Sequence, residues 1–504
     1  MKLKRGLLNI SLGFFSQLII LILGFFIPKL FIDNYGSEVN GLFSTITQIF
    51  AYVALLEAGI GAATVRALYK PVSMKEYNDI SGILSATRKY YNKISLYYLF
   101  CVLLLAVLYP LLVDSSISKV TIGIIVLLQG LTGVIHFYFQ ATLKQLIIAE
   151  GRSYVLSNIA LMINICSSIT KITLIYLGAD IIYIQVAFFG ISLLQLLLFQ
   201  FYFRRKYTWV DFKVKPSFDK LAQRNAFLIH QVSSLVFSST DMLILSIFSD
   251  FKTVSIYAIY NLVILSLNTL IKTVNESFSF VLGHTYHVDK KKYMRLHDAY
   301  HTFYITLIFS IMSVCYMLFL PFIRLYTQGA DINYVDSYLP LLFCLIPILS
   351  CIRMVPNNLI IIEGHMQQTV VRTIVEASIN LVVSVVLMNL IGIYGVLLGT
   401  IVALLYRSND IILYSDMKIL KRNPLKTYKP IIINSTLFVI VVLMYSKMNI
   451  IINSYFEFFQ WGIIFSSITL VYFIVISVSS RREFKFVIRI IKPHAKKLFI
   501  RFLR

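Results

Sequence analysis

Residues 254–282 read VSIYAIYNLVILSLNTLIKTVNESFSFVL. The run exceeds the roughly twenty residues that cross a hydrocarbon core, so it reads as a membrane-spanning helix. Lys272 and Glu276 stand one helical turn apart inside it. An ionised side chain at that depth needs a partner, a wet cavity or a substrate. Fold and function are therefore posed by the same stretch.

Runs of this kind recur along all 504 residues. The chain is 58% hydrophobic and 14% charged, where a soluble domain carries about 25% charged residues. Mean hydropathy is +0.79. The sequence predicts an all-α polytopic membrane protein with about fourteen transmembrane helices. The spans divide into a six-helix lobe over residues 1–203, a cytoplasmic linker at 204–224 and a second six-helix lobe over 225–414. Two additional helices and a basic tail fill 415–504.

The net charge of +23 does not point to nucleic acid, because cationic residues collect in cytoplasmic loops of membrane proteins. Basic segments such as KLKR, RRKYTWVDFKVK, DKKKYMR and KILKRNPLK alternate with short, weakly charged connections. That alternation puts both termini in the cytoplasm. The N-terminal apolar run is too long for a signal peptide and reads as a retained first helix. The tail, with VIRIIKPHAKKLFIRFLR, reads as an amphipathic stretch on anionic membrane lipids.

Several chemistries find no support. Cys101, Cys166, Cys315, Cys344 and Cys351 all lie in apolar segments, without zinc-like or disulfide-like spacing. There is no GxxxxGK[ST], HExxH or GxSxG motif. GHTYHVDKKKYMRLH (283–297) reads as a solvated basic loop and not as a metal site. The reading is of a protein that is not an enzyme and takes no cofactor or metal.

The chain also repeats itself. Glu150–Gly151 return as Glu363–Gly364, 213 positions later. At nearly the same offset, residues 26–46 resemble residues 240–263, with Phe43 against Tyr257. Two pseudo-symmetric halves are the usual build of secondary transporters. Carrying an offset of about 215 to Lys272 lands on Glu57, so one half places an anion near where the other places a cation. Lys29 likewise falls beside the repeat equivalent of Asp241. Glu57–Lys272 and Lys29–Asp241 are candidate gate charges. The local alternative is an i,i+4 pair between Lys272 and Glu276.

Lys171 and Arg353 are the other isolated intramembrane cations, the latter in CIRMVPNN, where Pro356 frees backbone groups. With Lys272 they are candidates for a cationic cavity lining that suits a phosphate-bearing substrate; snorkelling or structural pairing is the local alternative for each. Glu376 and Asn380, at i,i+4, are candidates for a coupling ion, for sugar hydroxyls or for holding helices together. Arg66 and Arg407 are expected at cytoplasmic helix ends.

The segments YGSEVNGLFSTITQIFAYVALLEAGIGAATVRALYKP (35–71) and EGHMQQTVVRTIVEASINLVVSVVLMNLIGIYGVLLGTIVALLYRS (363–408) resemble bacterial polysaccharide transporters. These are the Wzx-type O-antigen and capsule flippases of the multidrug/oligosaccharidyl-lipid/polysaccharide (MOP) superfamily, whose drug exporters and lipid II flippases share the layout. The resemblance implies two six-helix lobes around a cationic cavity in a bacterial cytoplasmic membrane. It implies movement of an undecaprenyl-diphosphate-linked oligosaccharide between leaflets, with H+ or Na+ as coupling ion and polysaccharide biosynthesis enzymes as partners. A lipid II flippase, a drug or metabolite exporter and a membrane-embedded glycan polymerase are the competing readings. The lipid II flippases place several arginines in their first two helices. This chain has Lys29 and Arg66 there, which weighs against that cargo.

Overall fold

The computed structural model describes residues 23–57, 60–219, 240–448 and 450–481. The basic tail, most of the first span and the start of the seventh lie outside them, as do some helical side chains, Glu276 among them. The described residues are helical without strands. In chain order the helices are α1 (residues 23–35), α2 (Ser37–Val53), α3 (Ile60–Met74), α4 (Tyr77–Leu112), α5 (Lys119–Ile135), α6 (Ala141–Ala149), α7 (Ser153–Tyr176), α8 (Ile181–Lys206) and α9 (residues 240–248). They continue as α10 (Phe251–Val288), α11 (Lys290–Tyr326), α12 (Leu339–Ile352), α13 (Met354–Ile362), α14 (Val370–Ile391), α15 (Ile393–Leu413), α16 (Leu425–Tyr445), α17 (Tyr455–Ser466) and α18 (Ile468–Ser479). Among the described residues, eleven helical segments are long and apolar enough to cross a membrane. Two of them are α16 and the α17–α18 pair, the last two spans read from the sequence.

The chain forms two compact units. One runs to Ala258 and includes Gly329–Ile332; the other comprises Ile259–Gln328 and the chain from Asn333. The core of the first unit is built from Leu42, Ile46, Tyr91, Val102 and Ile125, all essentially inaccessible. A second cluster, with Leu68, Ile83, Leu146 and Phe199, packs the ends of α3, α4, α6 and α8 together. In the second unit, α14 and α15 form a hairpin turned at Gly392, whose φ is 60°. Gly395 and Gly399 bring the two backbones into contact: a Cβ on Gly395 would lie 2.2 Å from the Leu387 carbonyl carbon. This is small-residue packing of the kind that joins helices in lipid. The final helices dock on α11, where Asn434 Nδ2 donates to Thr306 Oγ1 at 3.3 Å and Ser313 hydrogen-bonds Tyr472 at 2.7 Å.

The repeat is visible in backbone geometry. Glu150 and Glu363 cap their helices with φ/ψ of −76°/−4° and −78°/−7°. Gly151 and Gly364 follow at φ of 69° and 77°, the left-handed conformation that glycine supplies at a helix end. The long helices α4 and α11 are also repeat equivalents, with 36 and 37 residues.

Three loop and span readings are corrected. TRKYYNK (87–93) is helical, because α4 begins at Tyr77, well before the expected start at Ile94. The second span does not run straight: a 3-10 turn at Ala54–Glu57 divides α2 from α3. His297 does not lie in a solvated loop. It sits on α11 with 0% exposure, followed one turn later by His301 at 3%. Their parallel rings have centroids 6.3 Å apart, and Asp298 beside them is held by Arg422.

Candidate functional site

Each half breaks the same helix. In the first, five residues of π-helix (His136–Gln140) separate α5 from α6. In the second, α12 ends and α13 begins at Arg353, with Pro356 unable to supply a backbone donor. Gln140 and Arg353 are 213 positions apart, which is the repeat offset. Wide or broken turns within helices free backbone groups and occur often at functional sites.

Beside the first break lies a hydrogen-bonded chain. Tyr91 Oη donates to Glu57 Oε1 at 2.6 Å, and Gln145 Nε2 donates to Tyr91 Oη at 3.1 Å. The Lys144 charge acts on Glu57. Gly61 makes room for the chain, since a Cβ there would meet the Gln145 amide at 2.9 Å.

Beside the second break lies an ion-pair ladder. Arg353 Nη1 donates to Glu376 Oε1 at 2.5 Å, and Arg407 Nε lies 3.5 Å from Glu376 Oε2. Arg407 reaches Asp410 at 2.5 Å, and Arg372 reaches the other Asp410 oxygen at 2.7 Å. Arg407 also donates to Thr373 Oγ1 at 3.0 Å. Four residues beyond Glu376, Asn380 Nδ2 donates to Thr400 Oγ1 at 2.8 Å across the glycine-packed hairpin. Lys272 is exposed on α10. One turn away, Asn275 Oδ1 accepts from Asn358 Nδ2 at 3.1 Å, tying α10 to α13. Among these described side chains, four cations stand against two carboxylates. The surplus is positive.

The sequence-predicted residues thus fall into groups. Arg353 and Glu376 are joined directly, with Lys272 in the same region of the second unit. Asn380 braces helices and does not share a ligand set with Glu376. A carboxylate already held by two guanidinium groups has little negative charge left for a small cation. Glu57 is engaged in the first unit. Lys171 sits over the Phe188 ring at 4.5 Å, a cation–π contact between α7 and α8. Lys29 pairs with Asp33 at 2.7 Å, and Asp241 accepts from Tyr257 Oη at 2.8 Å.

Arg407 corrects its expected place. It is 4% exposed, because α15 continues through a π-helical stretch (Tyr414–Ile419) and leaves Arg407 well inside the helix. Tyr91, Gln145, Lys144 and Asn275 are newly drawn into the clusters. For the residues of the first half, a signal was present: adding 213 to Gln145 gives Asn358.

A scan of family models and a search of curated sequences return no match. Solved structures do match. A lipid II flippase MurJ in an inward closed conformation aligns with TM-score 0.65 at 18% identity, covering 94% of this chain and 99% of that one. The fold is that of the MurJ and MATE transporters. An inward-facing multidrug resistance MATE transporter of the MOP superfamily aligns with TM-score 0.65 at 14% identity, over 81% of this chain and 98% of its own. A MOP-superfamily transporter from Pyrococcus furiosus aligns with TM-score 0.56 at 15% identity, over 84% and 96%. The all-helical, multi-pass architecture expected from the sequence is therefore established.

Proposed function

We propose that the chain is a MOP-type transporter that moves an undecaprenyl-diphosphate-linked oligosaccharide from the inner to the outer leaflet of a bacterial cytoplasmic membrane. The observation that carries this reading is the cationic surplus around Arg353, Arg407 and Lys272, set beside a broken helix on a transporter fold. A diphosphate is the substrate group such a surplus matches. The extent of the fold supports a lipid cargo over a small drug. The MurJ structure covers 94% of this chain, whereas the MATE structure is itself almost fully covered and accounts for 81%. Alternating access coupled to H+ or Na+ completes the proposal, with Lys272 and Arg353 as the diphosphate contacts.

Depletion in the native host, following surface glycan and lipid-linked repeat units together, tests the cargo. The expected result is loss of surface glycan with intact linked units held on the inner leaflet. Normal arrival of those units at the outer leaflet would overturn it. Accumulation of lipid II instead would move the assignment to the peptidoglycan precursor.

Glu57 and Lys272 keep the opposed charges at repeat-equivalent positions that a gating role requires. Glu57→Lys and Lys272→Glu should each abolish cargo movement, while the double reversal restores a measurable fraction of it. A double variant no better than the singles removes these residues from the gate.

A further inference from the structure

One turn from the Tyr91–Gln145 cluster, and lined by Tyr138 and Phe139 of the same π-helical turn, the first unit contains a cavity of 360 Å3 between α4, α6 and the C-terminal end of α8. Arg88 and Arg204 line it, together with Gln200 and Thr142, and no Asp or Glu is among its lining residues. Arg88 is braced over the Phe212 ring at 4.8 Å. Thr142 is 5% exposed, and its hydroxyl has no hydrogen-bond partner. A helical threonine hydroxyl usually returns to the carbonyl four residues back; here that residue is Tyr138, inside the π-helical turn. A buried, unspent hydroxyl beside two arginines calls for an acceptor from outside the chain.

A second recess of 490 Å3, lined by α8 alone, starts at Gln200 and Arg204, the two residues it shares with the first, and continues over Leu197, Leu198, Phe201 and Arg205, whose guanidinium lies 4.6 Å from the Phe201 ring centroid. Leu197 and Phe201 are 62% and 59% exposed on a helix that spans the membrane. The cationic recess therefore opens beside an apolar groove on one face of α8. Its level is the membrane boundary. The start of α4 and the end of α8 lie together, with the Tyr77 and Trp209 rings 4.6 Å apart and Ser217 N–H donating to the Gly82 carbonyl at 3.1 Å. Loop charge assigns this end to the cytoplasm.

We propose that this paired recess binds an anionic phospholipid of the inner leaflet, its phosphodiester between Arg88, Arg204 and Thr142 and one acyl chain along Leu197–Phe201. The site is separate from the cargo site and does not depend on its assignment. A basic recess at the cytoplasmic ends of membrane helices is chemically suited to such a head group.

The test uses the full-length protein in detergent, with melting temperature and lipid retention in native mass spectrometry as readouts. Dioleoyl-phosphatidylglycerol should raise the melting temperature and stay bound. Dioleoyl-phosphatidylcholine and inorganic phosphate should do neither. The Arg88→Gln/Arg204→Gln double variant should retain phosphatidylglycerol about tenfold less, the loss expected when a charge-assisted hydrogen bond goes. Thr142→Val, which keeps the volume, should lower retention several-fold. Equal retention of phosphatidylcholine overturns the charge requirement. An equal shift from inorganic phosphate overturns the lipid assignment. Unchanged phosphatidylglycerol retention in both variants overturns the site. The comparison among additives on the unaltered chain tests the head-group class, and Thr142→Val, which removes no charge, tests the place even where the double variant fails to fold.

Discussion

Glu376→Gln is expected to be the most damaging single charge removal in the second unit. Glu376 is 5% exposed and touches Arg353 at 2.5 Å and Arg407 at 3.5 Å. Removing one member of a buried pair leaves an uncompensated charge and costs about 3–5 kcal/mol. Two guanidinium groups share this carboxylate, and Asp410 is already engaged by Arg407 and Arg372. Asp410 is the other carboxylate among the described side chains of the ladder. Arg353→Gln should cost less, because Glu376 keeps Arg407. Replacing both Arg353 and Glu376 by Met should recover much of the stability while cargo movement stays lost. Thermal melting of the purified variants checks the order. A Glu376→Gln protein that melts like the wild type would show that the ladder does not depend on its carboxylate.

Gly41→Ala is expected to be comparably severe for a steric reason. A Cβ on Gly41 would sit 1.8 Å from the Phe251 carbonyl oxygen and 2.7 Å from its carbon. The obstacle is backbone, so α2 and the first turn of α10 must separate. That movement would strain neighbouring bonds of the same unit: Asn40 Nδ2 to Ser255 Oγ at 2.7 Å, and Ser37 N–H to Asp331 Oδ1 at 3.0 Å. It would also disturb Glu38, which accepts from Ser115 Oγ and the Ser116 N–H at 2.7 Å. A loss of about 4 kcal/mol or more is expected, the range reserved for clashes that the structure cannot absorb. Gly190→Ala is the matched control, since a Cβ there meets nothing within 4 Å. Equal melting temperatures for the two variants would remove the close approach of α2 and α10 from the account.

Much of the architecture was legible because hydropathy reports membrane burial directly, and because the duplicated Glu–Gly pair marks equivalent helix ends. The site was legible only in part. Arg353, Glu376 and Lys272 stand out as charges in apolar runs, but their pairing does not: Arg353 stands between α12 and α13 and Glu376 on α14, and no spacing in the sequence announces their contact. Hydropathy reads the fourth span as Val120–Gln140, which stops short of Lys144 and Gln145. The π-helical turn there adds a residue per turn, shifts the apolar face and ends the 3.6-residue periodicity on which such a reading depends. Irregular turns hide chemistry from periodicity.

Helices α4 and α11 carry one further consequence. At about 1.5 Å per residue each is roughly 54 Å long, against a hydrocarbon core of about 30 Å. Pro110 and Pro321 lie near the C-terminal ends of these two helices, and the surplus length exceeds what the bilayer core can hold. A rigid rod held in the bilayer and packed at its far end, against Trp209 and Ser217 on α4 and against Arg422 on α11, is a lever arm. Any tilt within the membrane arrives magnified at the far end, where Asp79 and Lys291 stand within reach of whatever works at that surface.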